Sequence, residues 1–279
     1  MSSILTAIKS IIDNLDLCIE NITDGNNRTN NMGDGLENYI KNAFADTLNI
    51  NNKAQIIKKI SDTFSYTGAK NNPPDLMIKS SDAIEVKKIQ NKTSKLQLNS
   101  SHPKSKLTAD NTRITQECRT CEDWQIKDII YAVGHVKNTE LKSLWMVYGD
   151  CYCANSSTYE QVENDIKHGI RSIGLNNNEK TNELGGVSGI DPLNISHLRI
   201  RGMWIIKNPS QVFDYLYQTD TNTNFELVVI MQKNKYDSFP QAQKSMLKNI
   251  NDLSINNVKI QNPNNPADLI AAKLLVFTR

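Results

Sequence analysis

Long hydrophobic runs are missing from this sequence of 279 residues. No apolar stretch approaches the length of a membrane span, and the first residues form an amphipathic pattern instead of the hydrophobic segment of an export signal. Cysteine is scarce as well: five residues, an odd number, which predicts reduced thiols in a chain without an export signal. These absences argue against a membrane protein and predict a location in the cytoplasm.

An excess of one charge is also missing, since 32 Lys and Arg stand against 30 Asp and Glu, for a formal net charge of +2. The chain has no overall basic field, so any affinity for nucleic acid depends on local clusters. No internal repeat and no independent second domain is visible. We predict one domain, 1–279, with a helical N-terminal part (about 1–62), a core (about 63–154) and a C-terminal elaboration (155–279).

Apolar residues at helical spacing predict two N-terminal helices. The first has the stripe Ile4, Leu5, Ile8, Ile11, Ile12 and Leu15. The second follows a polar loop over 24–35, is capped by Asp34 or Gly35, and buries Leu36, Ile40, Ala43 and Phe44. Further along, we expect long strands over 128–136 and 141–154 with Ile130, Trp145 and Val147 in the core. A helix over 159–173 should turn Val162, Ile166 and Ile170 inward, and residues 176–194 should form a long loop.

Residues 72–88 contain the stretch most indicative of chemistry. Two short apolar runs flank the polar turn 79–82, which predicts a β-hairpin. Side chains alternate along a strand, so Glu85 and Lys87 share one face, and Asp75 begins the neighbouring strand. Two carboxylates can hold a hard divalent cation such as Mg²⁺, and a nearby lysine can orient a bound water or take its proton. The alternative is a charged, solvated strand face.

The pattern Pro-Asp, spacer, Glu-X-Lys resembles the active-site motif of the PD-(D/E)XK nuclease superfamily. The longer text resembles the NgoPII-type restriction endonucleases from about Gly35 onward, most specifically in residues 73–78, 82–88, 98–107, 128–134 and 144–152. This resemblance implies an α/β fold with a PD-(D/E)XK restriction-endonuclease-like core, a mixed central sheet flanked by helices. It also implies a bacterial type II enzyme that cuts duplex DNA within the palindrome GGCC.

Further expectations accompany the resemblance. Asp75 and Glu85 would bind Mg²⁺, and Lys87 would position or activate water. Glu37 would assist from a helix ahead of the core strands; the alternative is an acidic residue that only stabilises the helix N-terminus through the helix dipole. A palindromic target implies a homodimer. A cognate DNA methyltransferase would act on the same site. Two other hypotheses stay open: a non-cleaving DNA-binding protein, which the intact trio argues against, and a repair or junction nuclease, which would need no palindrome.

Candidate DNA contacts lie in two segments. The basic stretch after the trio offers Lys88, Asn99, Ser100, Ser101, His102, Lys104 and Lys106 to phosphates and base edges. Arg199 and Arg201 share a strand face and can grip phosphate or guanine, with strand salt bridging as the alternative. Cys118, Cys121, Cys151 and Cys153 raise the possibility of a zinc site, but core packing in an apolar strand explains the second pair well.

Overall fold

The computed structural model describes residues 2–19, 28–68, 72–172, 183–188, 190–219 and 223–279. Its helices are α1 (Ile4–Asp13), α2 (Arg28–Ala45), α3 (Lys53–Thr63), α4 (Gln116–Thr120), α5 (Gly149–Tyr152), α6 (Ser156–Ser172), α7 (Pro209–Val212), α8 (Lys233–Ser238) and α9 (Gln241–Lys248). Its strands are β1 (Phe64–Tyr66), β2 (Leu76–Ile78), β3 (Ala83–Ile89), β4 (Leu96–Gln97), β5 (Lys106–Thr108), β6 (Ile126–Lys137), β7 (Glu140–Tyr148), β8 (Gly185–Ser188), β9 (His197–Ile200), β10 (Ile205–Ile206), β11 (Glu226–Gln232), β12 (Leu253–Asn262) and β13 (Asn265–Thr278).

One mixed sheet organises the described part of the chain. Nine of the described strands belong to it, in the order β1-β2-β3-β6-β7-β11-β13-β12, with β5 added against β6. β3 runs parallel to β6, and β7 runs parallel to β11, while the other pairs are antiparallel. The predicted mixed sheet in an α/β protein is therefore confirmed.

The centre of the sheet is apolar because its strands are covered on both faces. β11 is buried along nearly its whole length, and the predicted core residues Ile130, Trp145 and Val147 are all buried. α2 covers β6 at close range: a Cβ on Gly134 would lie 2.7 Å from a methyl carbon of Leu36. A residue with a side chain at position 134 would push this helix away from β6, the strand that neighbours the hairpin β2-β3.

The N-terminal helices pack as the apolar stripes predict. A capping box begins α1, in which Ser3 and Thr6 each bond the other's main chain. The expected inward residues of the first two helices are buried or partly buried: Ile4, Leu5, Ile8, Ile11, Ile12, Leu15, Leu36, Ile40, Ala43 and Phe44. No helix among the described residues is long and apolar enough to cross a membrane.

Four local predictions were wrong. α2 begins at Arg28, so residues 28–35 of the expected loop are helical. Once a helix has formed, it extends into neighbouring residues of weak helix propensity at little cost. The strand expected over 141–154 ends at Tyr148. Val162 and Ile166 on α6 are exposed, and α6 has no buried residue. Part of the expected loop over 176–194 forms β8, while residues 173–182 lie outside the described ranges.

Candidate active site

The catalytic hairpin forms as predicted. β2 and β3 pair with Leu76 opposite Ile84, and the Asp75 amide donates to the Ile84 carbonyl oxygen at 3.0 Å. The turn closes through a bond of 2.9 Å from the Ile78 amide to the Asp82 carbonyl oxygen. These bonds fix the register, and the register places Asp75 beside the strand segment that carries Glu85 and Lys87.

Asp75 is anchored to β3 by its side chain. Its Oδ2 atom accepts a hydrogen bond of 2.6 Å from the Val86 amide. Burial raises the pKa of Asp75 well above the usual range, and the charge of Glu85 raises it further, against the opposing effect of Lys87. Two carboxylates that repel each other in a dry site bind a cation favourably.

Glu85 and Lys87 form an ion pair, with Nζ 2.7 Å from Oε1. The other oxygen, Oε2, is buried and has no hydrogen-bond partner within the described residues. Burial opposes the charge on Lys87, but Glu85 and Asp75 outweigh it and raise its pKa, so the side chain is an ammonium at neutral pH. The trio therefore meets at one edge of the sheet, as the sequence predicts.

Glu37 approaches the same site from α2. Its charge acts on both Asp75 and Lys87 and raises the pKa of each. Because α2 begins at Arg28, Glu37 lies inside the helix and not in its first turn. The helix-dipole explanation of this residue therefore does not apply.

The trio lines a cleft with a volume of about 130 Å³. Five of the predicted DNA-contacting residues line it too: Asn99, Ser100, Ser101, His102 and Lys104. The basic loop thus folds over the catalytic hairpin and presents hydroxyl, amide and amine groups to the same space. A phosphodiester in the cleft would face both the carboxylates and these donors.

The other four predicted DNA-contacting residues lie elsewhere. Lys88 follows Lys87 on β3 and points to the opposite face. Lys106 pairs with Asp128 and, at 3.0 Å, with Asp150. Arg199 and Arg201 both pair with Glu183, the latter at 3.0 Å, and both remain more than half exposed. The salt-bridge alternative for the two arginines is therefore realised in the DNA-free structure.

Lys104 is nearly fully buried beside the carboxylates. Its Nζ atom donates to Ser101 Oγ and, at 3.2 Å, to the His102 carbonyl oxygen. Burial lowers the pKa of Lys104 to about 8, against the attraction of Glu85. Burial and the charge of Lys104 lower the pKa of His102 to about 4, so this imidazole is neutral at physiological pH. Burial of the Lys104 ammonium therefore costs stability.

We expect Lys104→Met to expose that cost. The folded protein holds the Lys104 proton less tightly than the unfolded chain does, so stability rises with pH above about 8, where the unfolded state binds more protons. Wild type should gain about 1 kcal/mol relative to Lys104→Met between about pH 7 and about pH 9, measured by urea unfolding. A stability difference that does not change with pH would contradict this interpretation.

Three polar or charged residues of the cleft, Asn72, Arg113 and Tyr131, carried no assigned role in the sequence-based site. Asn72 Nδ2 donates to the Arg113 carbonyl oxygen at 2.7 Å. The Tyr131 hydroxyl accepts a bond of 2.7 Å from the Lys104 amide and so positions the basic loop. Tyr131 lies inside a segment that carries the family resemblance, and Asn72 directly precedes one, which is a usable signal. Arg113 lies between those segments, and nothing local marks it.

The carboxylates of the site fit a hard cation. Carboxylate oxygens of Asp75 and Glu85 are the ligands that Mg²⁺ prefers, with water completing its shell, and the unbonded Glu85 Oε2 is available for it.

Across the residues that the structure describes, no three His, Cys, Asp or Glu side chains form a metal-binding group. Cys118 packs on Met77. Cys151 is buried in α5 and Cys153 is buried at its C-cap, so neither lies in the strand expected.

Known proteins resemble this chain closely. A family model described as NgoPII restriction endonuclease matches residues 2–262. The type II restriction enzyme NgoPII of Neisseria gonorrhoeae is 46% identical over 276 residues, which is 99% of both chains. No solved structure matches the chain.

Proposed function

Because the chain belongs to the NgoPII restriction endonuclease family, we propose that it hydrolyses phosphodiester bonds in duplex DNA at a short palindrome, GGCC, with Mg²⁺ as cofactor. Its general class, a type II restriction endonuclease, follows from the match over nearly the whole chain. The cofactor and the target are the parts that need a test. The enzyme would work in the bacterial cytoplasm, beside a methyltransferase that modifies the same site.

The observation that carries the chemistry is the meeting of Asp75, Glu85 and Lys87 in one cleft. Asp75 and Glu85 would hold the cation, which when bound polarises the phosphodiester and acidifies a water. Lys87 is protonated in the structure, and its ammonium 2.7 Å from Glu85 can orient that water and offset charge on the phosphate. Glu37 contributes negative charge from α2 and favours cation binding.

The arrangement of strands supports a PD-(D/E)XK core. An antiparallel hairpin, β2-β3, carries the acidic residues and the lysine, and β3 continues into the sheet beside the parallel strand β6. α2 packs on this part of the sheet and supplies Glu37. Helix, hairpin and parallel strand thus converge on one site.

The DNA-binding surface is proposed to begin at the cleft. Ser100, Ser101 and Lys104 would hold phosphates next to the cut, while Asn99 and His102 would approach base edges. Arg199 and Arg201 are exposed enough to exchange Glu183 for a phosphate or a guanine. Two copies related by a two-fold axis would match a palindromic target.

One digest tests the proposal. A plasmid with known GGCC sites is incubated with the protein, with Mg²⁺ or with a chelator, and the fragment ends are sequenced. We expect discrete ends at GGCC with Mg²⁺, 5′ phosphates on the products and no cutting with the chelator. Premethylated plasmid should resist.

Other outcomes identify the alternatives. Specific binding without cutting would make the chain a non-cleaving DNA-binding protein. Scattered or structure-dependent ends would indicate a repair or junction nuclease. The intact trio of Asp75, Glu85 and Lys87 in the cleft favours cleavage over the first alternative, because a protein that only binds DNA would not need all three groups.

A further inference from the structure

Arg113 lies where the catalytic cleft meets a second, apolar pocket of about 190 Å³. The side chain of Arg113 is 12% exposed. The main chain of Arg113 is tightly held, since its amide donates to Asn111 Oδ1 at 2.9 Å and its carbonyl oxygen accepts from Asn72 at 2.7 Å. Asn72 precedes the Pro-Pro-Asp segment, so Arg113 is fixed relative to the catalytic Asp75.

The Arg113 guanidinium is under-used. Within the described residues it makes one hydrogen bond, from Nη2 to Glu163 Oε2 at 3.5 Å. A guanidinium has five N–H donors, and a strong pair with a carboxylate is bidentate and shorter. Arg113 also lines the cleft that contains Asp75, Glu85 and Lys87, where a phosphodiester would lie.

Glu163 is held in place independently of Arg113. Its Oε1 atom accepts a hydrogen bond of 3.0 Å from Trp204 Nε1. Trp204 in turn packs edge-on against Tyr159, with ring centroids 5.4 Å apart. The carboxylate is thus positioned by α6 and its aromatic neighbours, and Arg113 meets it at the limit of hydrogen-bonding distance.

We propose that Arg113 binds a DNA phosphate at the mouth of the catalytic cleft, and that Glu163 occupies the phosphate's place in the DNA-free protein. The proposal rests on the proposed function, because it needs duplex DNA in this cleft. Exchange of one weak carboxylate contact for a phosphate is favourable, since phosphate oxygens match the guanidinium fork. Arg113 then adds a third cation to Lys87 and Lys104 around the substrate.

The test measures binding of a labelled GGCC duplex and an unrelated duplex, in chelator, over a series of salt concentrations. Arg113→Gln should weaken binding to both duplexes by a similar factor, about tenfold, and reduce the salt slope by about one. Glu163→Gln should do the opposite and tighten binding to both about two- to tenfold, because the competing carboxylate is gone.

Controls separate a structural role from the proposed one. Glu160→Gln removes the same charge from an exposed position one turn earlier on α6 and should change affinity less than Glu163→Gln. Arg113→Lys keeps the charge and should keep the salt slope, which covers the case in which Arg113→Gln unfolds. Thermal unfolding without DNA checks each variant.

Several results would overturn the proposal. If Arg113→Gln and Glu163→Gln both weaken binding, the pair is structural. If Arg113→Gln keeps the wild-type salt slope, or affects only the GGCC duplex, the residue does not bind phosphate. These failures differ from failure of the proposed function, in which the wild type would neither bind duplex DNA nor cut it.

Discussion

Glu85→Gln and Lys87→Met should each reduce the rate of cleavage at least about 100-fold, while affinity for the target duplex in chelator should stay near that of the wild type. Glu85→Gln removes the charge from an oxygen that is buried without a partner among the described residues and that is the natural ligand for a cation. Lys87→Met removes the ammonium 2.7 Å from that carboxylate. The rate is measured in single turnover with Mg²⁺, and binding is measured separately.

The matched control is Lys79→Met. Lys79 lies in the turn of the same hairpin, outside the cleft, and its Nζ atom bonds the Ser61 carbonyl oxygen at 2.6 Å. The Lys79→Met variant loses the same charge as Lys87→Met, and it should cut DNA at close to the wild-type rate. Wild-type cutting by Glu85→Gln or Lys87→Met would show that the chemistry takes place elsewhere.

The catalytic hairpin could be predicted because its determinants are local. Alternation along β3 puts Glu85 and Lys87 on one face, and a short turn brings Asp75 back beside them. The basic loop over residues 99–104 lies close to β3 in the sequence, and this short separation limits its distance from the strand. Near-neighbour geometry was therefore sufficient for the trio and for the groups that line its cleft.

Contacts between segments that are distant in the sequence could not be predicted in the same way. Nothing near Arg113 in the sequence indicates that it meets Glu163, fifty residues later. Lys106 looked like a phosphate ligand, but strand pairing places it opposite Asp128. The stripe on α6 indicated burial, yet the structure leaves Val162 exposed. In each case the partner is set by tertiary packing, which periodicity does not specify.

The turn before β3 and the cleft beside the strand handle charge differently. At the cleft, Asp75 and Glu85 lie close together with too few cations, which prepares them to bind one. At the turn, Asp82 is 2% exposed but is fully paired: Lys235 donates to it at 2.6 Å, and the Tyr148 hydroxyl donates at 2.7 Å. β3 is therefore anchored at the turn that precedes it by a fully paired carboxylate, while the carboxylates at the cleft are left available for a cation.

Lys235→Met should destabilise the protein by about 3 kcal/mol, the largest stability effect we expect. Lys235 on α8 bonds Asp82 at 2.6 Å and Asp128 at 2.7 Å. Its loss leaves the buried Asp82 carboxylate without a cation, and removal of one partner from a buried pair costs about 3–5 kcal/mol. Lys233→Met is the control, two residues away on α8, where the pair with Asp237 is exposed and should contribute little to stability.

The pH dependence distinguishes this cause from simple loss of packing. Burial raises the pKa of Asp82 even with Lys235 and Tyr148 opposing it, and removal of Lys235 raises that pKa further. A carboxyl whose folded-state pKa lies above its unfolded value costs stability as the pH rises through that range. The deficit of Lys235→Met in urea unfolding should therefore grow from acidic to neutral pH. A deficit that is equal at both would mean that the contacts of the Lys235 ammonium with the rings of Tyr148 and Phe239 supply the stability instead.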